Sequence, residues 1–203
     1  MQKLFILLFL FVIVTIFVCL KFFNSIDTAI LYFFQNISGV TLYDNIMWMF
    51  TEISNIFSCV IFCIILIILK KTRRIGLSSL LSVLVSTIVC GYISYLADRD
   101  SPNMQFIGSK LPLEIENDTL ILGTDNSYPS GHIARIVVIV ATILHNTKNK
   151  YTYFVLILPF ISSIGRLYML QHYPTDIIGG VIIGLSIEMI ISSKLNKLHQ
   201  NII

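Results

Sequence analysis

Long apolar runs separated by short polar stretches dominate the chain, and six of them approach the roughly 20 residues that a helix needs to cross a hydrocarbon core. They cover residues 4–22, 52–69, 75–96, 131–146, 151–170 and 176–193. The pattern predicts an all-α protein, a bundle of six transmembrane helices. The fourth run is short, and the turn-like segment Asn126-Ser127-Tyr128-Pro129-Ser130 ahead of it puts its first turn at the interface. Residues 23–51 mix apolar and aromatic positions with Asp27, Gln35, Asn36, Asp44 and Asn45. That stretch is too polar to span and predicts amphipathic helices lying along the non-cytoplasmic surface. The first run follows Lys3 as a signal peptide would, but no small-x-small site follows at Leu20-Lys21-Phe22-Phe23, so a retained first span is expected. No internal repeat or linker breaks the pattern, which predicts one membrane-integral domain over residues 1–203.

Composition strengthens this picture. Hydrophobic residues make up 56% of the chain and charged residues 12%, which excludes an ordinary soluble domain. The net charge of +3 does not point to nucleic acid, because nine of the fourteen Lys and Arg residues fall in four stretches between apolar runs. With the N-terminus inside, Lys3, then Lys70, Lys71, Arg73 and Arg74, then Lys148 and Lys150, then Lys194 and Lys197 all lie on the cytoplasmic side. The opposite loop, residues 97–130, carries Asp98, Asp100, Glu114, Glu116, Asp118 and Asp125 against only Arg99 and Lys110. Both termini are therefore expected in the cytoplasm and that loop outside, in an integral protein of the plasma membrane. Cys19, Cys59, Cys63 and Cys90 sit inside apolar runs and read as small buried residues, without disulfide or metal roles.

Ionisable groups that cannot reach the cytoplasmic interface are candidates for chemistry. Pro129-Ser130-Gly131-His132 opens the fourth span on the outer side, where unpaired N–H groups and the positive helix end favour a phosphate. Gly165-Arg166, His172 and Asp176 fall in the loop between the fifth and sixth spans, on the same outer face. Pro174 and Thr175 begin the last helix, so Asp176 is expected to accept a hydrogen bond from one ring nitrogen of His172 and leave the other as a nucleophile. Arg166 offers a planar fork to phosphate oxygens, and His132 suits the general acid that protonates the departing oxygen.

These segments resemble the second and third signature motifs of the type 2 phosphatidic acid phosphatase family. The second, Pro-Ser-Gly-His, matches residues 129–132; the third matches Arg166, His172 and Asp176, with Gly165 where the family has serine. The resemblance covers most of residues 50–193, and implies a metal-independent phosphatase with a phosphohistidine on His172. Asp176 would be its relay and His132 the acid, with Ser130, Gly131 and Arg166 holding phosphate. The first motif departs: with its proline on Pro102, Ser101 and Ser94 stand where the family has arginine and lysine. Arg99, two residues before Ser101, and Arg135, one turn beyond His132, are the expected substitutes in the phosphate clamp.

An outward site in a membrane suits an amphiphilic substrate, a lipid phosphate or an isoprenoid (polyprenyl-type) diphosphate, with phosphatidic acid and phosphatidylglycerol phosphate open. A lipid phosphotransferase using the same histidine and a non-catalytic lipid-binding or transport protein are the alternatives. No metal or other cofactor is expected, since no carboxylate or histidine cluster remains once this set is assigned. The expected partners are substrate and membrane lipids, with no nucleic acid and no obligate protein. His145, His199 and Glu188 read as structural, Arg99 and Arg135 have Asp125 or lipid headgroups as alternative partners, Trp48 is an interface anchor, and Tyr128, Tyr168 and Tyr173 are anchors or headgroup neighbours.

Overall fold

A computed structural model describes residues 2–102, 126–147 and 149–200, with the backbone alone for Thr41 and residues 196–200. Of the sequence expectations, Lys110, Glu114, Glu116, Asp118, Asp125, Lys148 and the side chains of Lys197 and His199 lie outside the described residues. The eight α-helices described are α1 (Gln2–Cys19), α2 (Asn24–Ile37), α3 (Thr41–Glu52), α4 (Ile56–Ile68), α5 (Arg73–Ala97), α6 (Gly131–Asn146), α7 (Ile157–Tyr168) and α8 (Pro174–Gln200). A 3-10 segment, Lys150–Leu156, leads into α7. No strand occurs among the described residues beyond one isolated bridge, Asp100 to Asn126.

The all-α class holds, and the six apolar segments lie where the pattern puts them. Among the described residues, four helices are long and apolar enough to cross a membrane on their own: α1, α5, the 3-10 segment with α7, and α8. The second expected span needs two pieces, because α3 and α4 pass together as a pair bent by 53°. At 16 residues α6 is about 24 Å long, short of a roughly 30 Å hydrocarbon core. Large apolar side chains such as Phe5, Phe9, Phe57, Ile61, Ile88 and Phe160 are exposed around the bundle, the surface that lipid covers in an integral membrane protein.

Residues 41–52 form a second helix with an exposed face, carrying Leu42, Tyr43, Ile46, Trp48 and Met49. The other face of α3 packs on α7, where Asp44 accepts from the Tyr168 hydroxyl (2.6 Å) and the Gly39 N–H (3.0 Å). Helix α2 is amphipathic as expected, with Leu31 buried against Leu170 and Tyr173 while Tyr32 and Phe33 point outward.

Helix α8 is the centre of the bundle, with 61% of its apolar window buried against 11% for α1 and 28% for α5. It packs on α6 along Gly180-Val181-Ile182-Ile183-Gly184, a small-x-x-x-small spacing that lets two backbones touch. A Cβ on Gly180 would lie 2.5 Å from the Ser130 carbonyl oxygen, and one on Gly184 would lie 2.9 Å from that of Ala134. Gly179 makes room in the same way for the Tyr128 ring. Gly180→Ala is therefore expected to push the two helices apart and destabilise the protein by about 1–3 kcal/mol. Gly131→Ala, whose Cβ would meet nothing closer than 3.5 Å, is the matched control. Thermal unfolding in detergent reads the difference; equal melting temperatures would refute the backbone contact as the seam.

Candidate active site

The carboxyl end of α5, the amino end of α6, the carboxyl end of α7 and the amino end of α8 meet at one end of the bundle. Lys70, Lys71, Arg73, Arg74 and Lys194 are at the other end, as the alternating course of the helices requires. The start of α8 is a helix-capping arrangement. Pro174 takes the first helical position, where a missing N–H costs nothing, and the Asp176 carboxylate folds back so that Oδ2 accepts the N–H of Tyr173 at 2.7 Å. His172 precedes this cap and is held by it.

The loop before His172 is fixed by an uncommon backbone conformation. Leu170 has φ of 54°, which costs about 1–2 kcal/mol for a residue with a Cβ. Burial of its side chain with Leu31 and Tyr173 offsets that cost. The turn brings Gln171 back under α7, where its N–H donates to the Arg166 carbonyl (3.1 Å) and its amide oxygen accepts from the Arg166 guanidinium. Arg166 is buried and also reaches the Thr51 carbonyl of α3 (3.4 Å). Gly165 has a local reason to be glycine: a Cβ there would lie 2.9 Å from the Met47 carbonyl oxygen, so α7 lies directly on α3.

Ser130 caps α6, its hydroxyl oxygen accepting the Ile133 N–H (3.4 Å). Its own N–H donates to the Asp176 carbonyl (3.0 Å), which ties the start of α6 to the start of α8. That tie brings His132 and His172 together with ring centroids 6.1 Å apart, tilted by 59°. Arg166 and Arg135 both lie near His132. The Arg135 side chain is buried and its Nε donates to the Ser54 carbonyl (3.2 Å), while Nη1 turns back towards Gly131.

Three expectations need correction. Nδ1 of His172 is 3.8 Å from the nearest Asp176 oxygen, too far for a hydrogen bond, and lies instead 3.0 Å from the Ser127 carbonyl oxygen. A carbonyl only accepts, so this contact makes Nδ1 the protonated nitrogen and leaves the lone pair on Nε2. The Asp176 oxygens bond the Tyr173 N–H and Arg99 instead.

Arg99 is the second correction. Its Nη1 bonds Asp176 Oδ1 (2.6 Å) and Thr175 Oγ1 (2.7 Å), its Nη2 bonds Asp27 Oδ2 (2.7 Å), and its guanidinium carbon lies 3.9 Å from the centre of the Tyr173 ring. Burial works against this charge, but the carboxylates of Asp176 and Asp27 outweigh it and raise its pKa above the ordinary arginine value. The third concerns Tyr128, Tyr168 and Tyr173, which are buried among internal partners (Thr15, Asp44 and Arg99) and do not border an open surface. Glu188, read as structural, is buried at the far end and accepts from Ser192, 3.3 Å from His145.

Sequence reasoning missed Asp27, Thr175, Ser127 and Gln171. Only Asp27 carries a signal: it lies four residues before Leu31 and seven before Phe34, on the apolar face of α2. An acid on a buried helix face requires a partner, which here is 72 residues away.

Fold and site together define an integral membrane helix bundle built around a buried histidine pair at one end. The chain belongs to the PAP2 superfamily, whose family model matches residues 75–199. It is 32% identical over 146 residues to the undecaprenyl-diphosphatase of Sulfolobus acidocaldarius, a match spanning 67% of this chain and 65% of the length of that relative. Two crystal structures share the fold. The first transmembrane PAP2 type phosphatidylglycerolphosphate phosphatase from Bacillus subtilis superposes with a TM-score of 0.75 over 97% of this chain and 98% of its own, at 20% identity. Aquifex aeolicus LpxE gives 0.68 over 83% and 95%, at 18% identity.

Proposed function

We infer that the chain removes phosphate from a lipid phosphate or isoprenoid diphosphate without a metal, at the outer face of the plasma membrane and with both termini in the cytoplasm. The observation that carries this reading is the pairing of His132 with His172 beside two buried arginines. Nε2 of His172 attacks phosphorus, the P–N bond forms as the P–O bond to the lipid breaks, and His132, whose proton the bound phosphate anion favours, gives it to the departing oxygen. Water then attacks the phosphohistidine, His132 takes a proton from it, and inorganic phosphate leaves with His172 restored. Arg166, Arg135, the Ser130 cap and the N–H of Gly131 at the positive end of α6 hold the phosphate oxygens. The relative named an undecaprenyl-diphosphatase favours an isoprenoid diphosphate over phosphatidic acid as the substrate.

Phosphate release from a polyprenyl diphosphate and from phosphatidic acid, by detergent-purified protein in EDTA, tests this. Release from the diphosphate is expected to be faster. Release that requires an added acceptor alcohol would turn the reading to a phosphotransferase, and lipid binding without turnover to a non-catalytic role. Arg135→Ala is expected to lower kcat/KM on the preferred lipid by about 10²-fold, the loss typical of one oxyanion donor. Full activity in that variant would remove Arg135 from the clamp.

A further inference from the structure

We propose that Asp27 and Arg99 are positioning residues that set the orientation and effective charge of Asp176, and through it the state of His172. The proposal rests on the reading of His172 as nucleophile and gives Arg99 a different task from holding phosphate. Three buried or nearly buried charges form a chain, Asp27 to Arg99 to Asp176, with side-chain exposures of 1%, 14% and 0%. Thr175 closes it: its hydroxyl accepts from Arg99 and donates to Asp27 (2.6 Å), and its N–H donates to the other Asp27 oxygen (3.2 Å). Asp176 is thereby fixed at both oxygens, Oδ1 by Arg99 and Oδ2 by the Tyr173 N–H. Oδ2 stays 3.8 Å from His172 Nδ1, beyond hydrogen-bond reach, and the imidazole keeps its bond to the Ser127 carbonyl.

That carbonyl belongs to the same assembly. The Ser127 N–H donates to the Arg99 carbonyl (2.7 Å), and its hydroxyl bonds the Arg99 and Asp100 carbonyls. The backbone of Arg99 thus holds the acceptor for Nδ1 while its side chain holds the neighbouring carboxylate. Asp98, with φ of 45°, makes the turn that sends Arg99 across the end of α8. Asp27 sits on α2, outside the segment that the family model matches, so this chain reaches its site from a helix that the family pattern does not include.

The charges around His172 make the two residues distinguishable. His132 faces it from α6, with Arg135 of α6 and Arg166 of α7 beside His132, and Asp176 faces it from α8, with Arg99 following α5 and Asp27 on α2 behind Asp176. Arg99→Gln removes the cation that offsets Asp176, so a proton on the imidazole is favoured. Asp27→Asn leaves Arg99 with Asp176 alone, so the carboxylate is offset more fully and that proton is disfavoured.

The test is an NMR pH titration of His172 in ¹⁵N-histidine-labelled protein in detergent, with its signals identified by their loss in His172→Asn. The midpoint is expected to rise in Arg99→Gln and to fall in Asp27→Asn. Midpoints that stay put, or that converge on a free imidazole value in both variants, overturn the proposal. Asp27→Asn keeps the Arg99 to Asp176 pair and Arg99→Lys keeps the charge, so the test survives if Arg99→Gln does not fold. In turnover, Asp27→Asn is expected to lower kcat roughly tenfold, as loss of an outer-shell partner does, with KM within about twofold. A raised KM with unchanged kcat in Arg99→Lys would make Arg99 a phosphate ligand and overturn the proposal. The titration does not require turnover, so a wild-type protein that releases no phosphate would defeat the proposed function and leave this result readable.

Discussion

His172→Ala is expected to abolish phosphate release, by on the order of 10⁴-fold or more, with the protein still folded. The side chain is only slightly exposed and has its Nδ1 bond to Ser127 as its main polar tie, while the turn around it is held by Leu170, Gln171 and the α8 cap. Loss of the ring therefore removes the proposed nucleophile without removing what shapes the loop. Wild-type protein quenched during turnover of a ³²P-labelled lipid should carry label that survives alkali and is lost in acid, as expected for a phosphoramidate. His172→Ala should carry none. Label present in His172→Ala and absent from His132→Ala would exchange the two roles, and substantial phosphate release by His172→Ala would refute covalent catalysis at this residue.

The second large effect is expected at Arg166. Arg166→Ala should lower kcat/KM by about 10²–10³-fold, and Arg166→Lys should recover little of it, because an ammonium has no planar fork to match phosphate oxygens. The burial of this guanidinium against Thr51 and Gln171 is what gives it such weight, since its direction is set before any substrate arrives. The same burial brings a structural cost, and the melting temperature of Arg166→Ala should fall as well. Steady-state kinetics of the alanine and lysine variants separate the two contributions. A lysine variant with wild-type kcat/KM would show that charge alone suffices.

The helices and the meeting of His132, Arg166 and His172 were legible in the sequence for a physical reason. Backbone groups in lipid have to be bonded within their own segment, so apolar runs become helices and their alternation fixes which ends share a face. Polarity also put residues 41–52 at the surface, where one face of α3 lies, but it did not reveal that Asp44 bonds Tyr168 inside the fold. Spacing also placed Asp176 within reach of His172, since three intervening residues return it to the cap of α8. It did not reveal that Arg99 and the Tyr173 N–H take up its oxygens. Those partners come from elements distant in the chain, and no local pattern announces them. Gly165 looked like a lost motif residue; its contact with Met47 shows that close approach of α3 leaves no room for a side chain.

The bond from the Ser130 N–H to the Asp176 carbonyl has a consequence for biosynthesis. Helix α8 is the last helix described along the chain, and it supplies both this bond and the glycine seam that seats α6. Until it has been made and inserted, the Ser130 N–H has no Asp176 carbonyl and Arg99 has no Asp176 carboxylate. A chain arrested during synthesis before that point is expected to be inert, and activity to appear only once α8 has seated α6.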